Sequence, residues 1–107
     1  AAKIYKTEAQ IIWSETAENI IGKINGLYPS PGAFFIYKGQ RYKILKASLA
    51  LGSGKSGEVL DNYLEIGCGN NKSIKVLEIQ RQGKRPQNIG EFMLGSQIQK
   101  GSNLNNA

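Results

Sequence analysis

Two prolines and a glycine within four residues, Pro29, Pro31 and Gly32, divide this chain into two stretches that follow different periodicities. Proline fixes its own φ, lacks an N–H and pushes the residue before it toward extended backbone, so Tyr28-Pro29-Ser30-Pro31-Gly32 is a stiff extended connector that no helix can cross. Before the connector, Ala17, Ile20, Ile21, Ile24 and Leu27 recur at i, i+3, i+4 and i+7. This spacing predicts a helix over Ala17 to Leu27, with Thr16 as its cap and Glu18 placed to favour the helix dipole. The first twelve residues carry no helical stripe and read as an extended lead-in.

After the connector the pattern turns to strands. The first is predicted over Ala33 to Tyr37, turning through Lys38-Gly39-Gln40 into a second from Arg41 to about Leu49. Gly52-Ser53-Gly54 makes a loop, and a short third strand covers Gly57 to Leu60. A fourth runs from Tyr63 to Cys68, with Leu64, Ile66 and Cys68 on its inner face. The fifth, Ser73 to Gln80, changes apolar phase between Val76 and Leu77, which a β-bulge or burial on both faces would produce. Beyond the turn Gly83-Lys84-Arg85-Pro86, Asn88 caps a short helix with Glu91 at the capping-box position, and Gly95 stops it. The Gly- and Asn-rich end from Gly101 is expected to fray. The fold class is therefore mainly β: a small Greek-key barrel resembling the oligonucleotide-binding fold, closed or nearly closed, with an N-terminal helix and a short C-terminal helix. An SH3-like barrel is its structural competitor.

The 107 residues, 40% of them apolar, suit one small domain with one core. Fourteen Lys and Arg against eight Asp and Glu leave a net charge of +6. The imbalance is concentrated in the eighteen residues Lys38 to Lys55, which hold five cations and no acid. Such a surface suits a phosphate backbone. The candidate nucleic-acid contacts are Lys38 at the hairpin turn and Arg41 and Lys43 on one face of the second strand. Lys46 takes the other parity unless a bulge intervenes. Lys84 and Arg85 join the set if the last connection folds back beside the hairpin. Tyr37, Tyr42 and Tyr63 are of the type that stacks on bases, but core or rim packing is the stronger reading of each. Phosphate positioning is expected, and base readout is not.

Catalytic chemistry has no foothold in these residues. There is no histidine, and the single cysteine, Cys68, reads as a small buried apolar side chain. Glu58, Asp61, Glu65 and Glu78 fall on separate strands or turns, where solvent or the nearby Lys72 and Lys75 would balance them. Gly54-Lys55-Ser56 matches the end of a phosphate-binding loop but lacks the earlier glycine and a following helix. Gly67-Cys68-Gly69 resembles part of a dinucleotide fingerprint without its third glycine, and reads as a strand exit with close backbone packing. No run of apolar residues is long enough to span a membrane, and a cytoplasmic setting is expected.

Several short strings, in order and at matching spacing, resemble the C-terminal domain family of methionyl-tRNA formyltransferase. They are Lys3-Ile4, Glu8-Ala9, Trp13-Ser14 with Ala17, and Asn25-Gly26-Leu27-Tyr28-Pro29-Ser30-Pro31-Gly32-Ala33. Gly39, Lys43-Ile44-Leu45-Lys46-Ala47 and Gly57-Glu58-Val59 follow. Leu77-Glu78-Ile79-Gln80, Gly83-Lys84-Arg85-Pro86 and Glu91-Phe92-Met93-Leu94-Gly95 complete the set. The chain departs from the family at Ile12, where an Asp is usual, at Asn25 for Arg, and at Ser30 for Trp.

The resemblance implies a single C-terminal barrel domain over 1–107, with 1–12 as an interdomain linker and the catalytic domain outside this chain. It implies a tRNA-binding role in an enzyme that moves a formyl group from 10-formyltetrahydrofolate to the α-amino group of methionyl initiator tRNA. Initiator tRNA and the N-terminal formyltransferase domain are the implied partners, and no cofactor is assigned to this chain itself. Two alternatives stay open: the same domain in a formyltransferase that acts on a sugar nucleotide or hydrolyses the folate donor, or a free-standing RNA-binding module.

Overall fold

The computed structural model describes residues 9–28, 32–95 and 98–104. Helix α1 spans Ala17–Leu27, with the Thr16 side chain accepting a hydrogen bond from the Asn19 N–H. Its apolar stripe buries Ala17, Ile20, Ile24 and Leu27, chiefly against the second strand. The strands are β1 (Ala33–Tyr37), β2 (Gln40–Ala50), β3 (Glu65–Gly67), β4 (Ser73–Arg81) and β5 (Gln87–Asn88), and helix α2 spans Ile89–Gly95. Strand order is β1-β2-β4-β3, all antiparallel, with β5 pairing β4. The sheet curls into a half-barrel. Its concave face packs with α1 around Trp13, Phe35, Ile44, Leu64, Ile66, Ile74 and Ile79. Pro29 to Pro31, most of the predicted stiff connector, lies outside the described residues, as do residues 1–8 of the lead-in.

The mainly-β architecture, with two helices among the described elements, matches the sequence reading, and α1, β1 and α2 have the expected bounds. The Asn88 side chain accepts from the Glu91 N–H at 2.8 Å, as the capping pattern predicts. The change of phase in the fifth strand is a double irregularity. Between Ile44 and Ala47, β2 carries an extra residue and then β4 does, so Ile44 opposes Ile79, Lys46 opposes Glu78 and Ala47 opposes Val76. Each added residue flips the side-chain alternation on its own strand. Leu77 is thereby turned half out to solvent while Val76 and Ile79 stay in the core.

Three expectations are corrected. Gly57 to Leu60 is not a ladder strand but a looped segment with isolated bridges from Glu58 to Asn103 and Val59 to Ile66. The strand predicted from Tyr63 shortens to Glu65–Gly67, because Leu64 has φ 61 and Asp61 Oδ1 instead accepts from the N–H groups of Tyr63 and Glu65. Among the described residues the ladder ends, β1 and β3, do not pair with one another, and the small barrel expected from the sequence takes the form of a curled half-barrel. The described part of the segment expected to fray, 101–104, is tied down, and 105–107 lie outside the described residues. Gly101 N–H donates to the Val59 carbonyl, Leu104 N–H donates to the Gly57 carbonyl, and Ile98 and Leu104 are buried.

Close backbone packing at Gly67 and Gly69 agrees with the sequence reading. A Cβ on Gly69 would fall on the carbonyl oxygen of Ser14, and one on Gly67 on that of Lys55. At Gly69 the close approach is also a hydrogen bond, N–H to the Glu15 carbonyl at 2.8 Å. The loop 69–72 is then latched to the start of α1. Asn70 Oδ1 accepts from the Ala17 N–H, and Lys72 Nζ donates to Glu18 at 2.7 Å. Lys72 therefore neutralises an acid on the helix rather than the strand acids near it in sequence.

Candidate nucleic-acid interface

Strand alternation decides where each cation points. On β2, Tyr42 is buried in the core face, so Arg41 and Lys43 project from the other. Tyr42 opposes Arg81 and Lys43 opposes Gln80, which carries the same alternation onto β4. Lys38 and Gly39 form the two-residue turn between β1 and β2, with φ of 50 and 78, the left-handed pair of a type I′ hairpin turn. The next connection folds back beside this hairpin. Gln82 N–H donates to the Arg41 carbonyl at 2.9 Å, Lys84 N–H to the Arg81 carbonyl at 2.9 Å, and Gln80 Nε2 to the Lys84 carbonyl at 2.9 Å. Lys84 and Arg85 thus come to the hairpin's end.

The result is two hollows at one end of the sheet. The larger is a groove of about 780 Å³ with Lys38, Arg81, Lys84 and Arg85 around it, Tyr37, Tyr42 and Phe92 in its walls, and Glu91 as its one acid. The smaller, about 220 Å³, is lined by Arg41, Lys43, Gln80, Gln82 and Gly83. Of the six residues singled out from sequence, three meet in the groove and two in the smaller hollow. Lys46 lines neither. The irregular pairing leaves it exposed, with Glu78 as its cross-strand neighbour. Sequence reasoning missed Arg81, which the predicted strand stopped one residue short of reaching. Extending the strand by that residue and pairing it with Tyr42 would have found it.

These side chains are held in place. The Arg41 guanidinium lies 4.3 Å from the Phe34 ring centroid and Lys38 Nζ lies 5.5 Å from that of Tyr37. The Lys43 stem lies over Gly32. Tyr42 stacks on Phe35 with centroids 5.3 Å apart and meets Phe92 edge-on at 5.7 Å. Burial pushes the Tyr42 hydroxyl above its ordinary range, so it is a neutral wall and not an anion within the groove. Tyr63 is exposed but lines neither hollow, while Phe34, Phe35 and Trp13 belong to the core.

The candidate for nucleophilic chemistry is buried and neutral. Cys68 is 2% exposed, and desolvation pushes its thiol up to about 11. Among the described residues no three of His, Cys, Asp and Glu are grouped to hold a metal ion. Among them, too, no helix is long and apolar enough to cross a membrane. The acids on the strands and turns serve the backbone and neighbouring hydroxyls. Glu58 accepts from the Lys55 N–H, and Glu65 accepts from the Ser73 hydroxyl.

The profile of the family described as formyl transferase, C-terminal domain, matches residues 3–97. A methionyl-tRNA formyltransferase of Pelagibacter ubique is 69% identical over 106 residues, which is 99% of this chain and 34% of that protein. One from a Chelativorans species is 40% identical over 97% of this chain and again 34% of that protein. This chain therefore spans about a third of the length of these relatives. Among solved structures, HypX from Aquifex aeolicus in complex with tetrahydrofolic acid superposes with a TM-score of 0.73, over 92% of this chain and 19% of that one. Its 17% identity speaks to the fold. Profile, relatives and fold agree, and the chain belongs to the formyl transferase C-terminal domain family.

Proposed function

We propose that this domain binds the backbone of initiator tRNA for a methionyl-tRNA formyltransferase, and positions the aminoacylated end for formyl transfer from 10-formyltetrahydrofolate in a catalytic domain of the same polypeptide, in the cytoplasm. The observation that carries the reading is the convergence of Lys38, Arg81, Lys84 and Arg85 on one groove, with Arg41 and Lys43 on the adjoining face. The names of the relatives support the substrate. The absence of a histidine and the buried, neutral Cys68 agree with a domain that supplies binding and orientation rather than bond chemistry.

A phosphate-binding surface has a measurable signature, because each neutralised phosphate releases condensed counterions. With six cations engaged, log affinity for tRNA falls against log salt with a slope of about −4 to −5. Filter binding of initiator tRNA to this chain across a salt series tests it, and a slope near zero overturns the proposal. In the parent enzyme, replacing Arg41 and Lys43 together with Gln weakens tRNA binding and leaves binding of the formyl donor intact. Turnover of the parent with methionyl-tRNA, against a sugar nucleotide or formyltetrahydrofolate with water, identifies the reaction that this surface serves.

A further inference from the structure

We infer that the larger groove reads a base as well as a backbone: the Glu91 carboxylate and the Tyr42 hydroxyl receive the Watson–Crick edge of one unpaired guanosine of the RNA. The inference rests on the nucleic-acid reading proposed above and adds to it a base readout that charge and composition give no reason to expect.

Glu91 is the residue that a surface for phosphate alone leaves unexplained. It lines the groove among Lys38, Arg81, Lys84 and Arg85, where its charge repels the phosphates that those cations attract. None of them neutralises it, since the ion pairs among the described residues are Lys23 with Glu15 and Lys72 with Glu18. Nor does its carboxylate complete a capping box. The Asn88 side chain accepts from the Glu91 N–H, and among the described residues no bond returns from the Glu91 carboxylate to the cap. An ionised carboxylate only accepts hydrogen bonds, so its ligand must bring N–H or O–H donors, and a phosphate diester brings none.

Tyr42 supplies the complementary group. Its ring is fixed between Phe35, stacked at 5.3 Å, and Phe92, edge-on at 5.7 Å and next in sequence to Glu91. Among the described residues its hydroxyl has no hydrogen bond, and the one buried side-chain polar atom left unpartnered is Trp13 Nε1. The Tyr42 hydroxyl is therefore open to solvent although the residue is only 6% exposed, and the opening is the groove that Tyr42 lines. Burial keeps it protonated, hence a donor. A fixed donor and an unneutralised acceptor on one groove select among bases by their edges. Guanine presents the O6 acceptor beside N1–H and N2–H donors, which one carboxylate accepts together, whereas uracil has a single N–H between two carbonyls. At about 780 Å³ the groove has room for a nucleoside.

The test is fluorescence anisotropy of this chain with labelled RNA pentamers, UUGUU, UUIUU and UUUUU, in which I is inosine. They carry the same backbone charge, so differences among them belong to the central base. The guanosine pentamer is expected to bind about fivefold or more tighter than the uridine one. Inosine, which keeps N1–H and lacks the 2-amino group, falls between them. Glu91→Ala abolishes the preference and at the same time tightens binding of UUUUU, because an acid leaves a groove that holds phosphate, whereas a misfolded variant would weaken all of them. Tyr42→Phe keeps the stack on Phe35 and reduces the guanosine preference with the salt slope unchanged. Equal affinity for the pentamers, or a guanosine preference that survives Glu91→Ala, overturns the inference and leaves the tRNA proposal standing, as does failure of the pentamers to bind where initiator tRNA binds. Failure of the tRNA as well overturns both.

Discussion

Lys38 occupies a backbone conformation that usually goes to Asn or Gly, and it places a cation at the tip of the hairpin at a cost of about 1–2 kcal/mol. Lys38→Asn is therefore expected to raise the thermal midpoint while weakening polyanion binding, a trade that calorimetry and the salt series measure together. An unchanged midpoint would mean that the turn carries no strain. Gly69 sits at the opposite extreme of tolerance. Gly69→Ala drives a methyl into the Ser14 carbonyl and costs about 2–3 kcal/mol, seen as a lower urea midpoint. Gly22→Ala, with nothing within 4 Å of the new methyl on α1, gains about 0.5–1 kcal/mol and serves as the control. The Glu18 carboxyl is held below the usual carboxylate range, first by the hydrogen bond from Lys72 and then by its own backbone amide, with desolvation opposing them. A depressed carboxylate contributes stability above its unfolded value and loses it as pH falls through the folded value. In Lys72→Met an NMR titration of Glu18 is expected to move up toward the ordinary range. An unmoved titration would assign the depression to the backbone. The Cys68 thiol, raised to about 11, stays protonated at pH 8 and resists iodoacetamide until urea opens the core.

Helix α1, the β1/β2 hairpin and helix α2 were legible in the sequence because each is fixed by signals within its own residues: the stripe from Ala17 to Leu27, the alternation around Lys38-Gly39, and the Asn88 cap with Glu91. Of the elements misread, the strand from Tyr63 was cut short by a local turn at Asp61 and Leu64, and the others were decided by distant partners. Gly57 to Leu60 has strand-like residues, yet its hydrogen bonds are divided between Glu65, Gly67 and the end of the chain, so no ladder forms. Nothing local to Gly101 announces that Val59 N–H will donate to the Ser102 carbonyl or that Leu104 will be buried. The site divides in the same way. Lys38, Arg41 and Lys43 follow from local alternation, whereas Arg81 enters through its pairing with Tyr42, and Lys46 is set aside by an irregular register that sequence could only allow for. The C-terminal segment carries its own prediction. The family profile ends at residue 97, but Leu104→Ala is expected to cost about 2–5 kcal/mol in urea unfolding, as for any large buried apolar residue. A change near zero would show the segment to be ornamental.

For the whole molecule, the segments that fall outside the regular strands are the ones that finish the sheet. Along the outer side of β1, Gln10 forms a parallel bridge to Phe34, and Ile11 N–H donates to the Phe34 carbonyl at 2.8 Å. Along the outer side of β3, Gly57 N–H donates to Gly67, Gly67 N–H to Glu58 and Leu60 N–H to Glu65. An uncovered rim of this kind is a template onto which another copy can add its own backbone, and repeated addition makes fibres. Here a lead-in and a loop act as selvedges. A version beginning at Ile12 is expected to scatter light and grow with concentration and time under conditions where the whole chain stays monodisperse, because it would lose the buried Ala9 and Ile11 and leave one border free to fray into its neighbours.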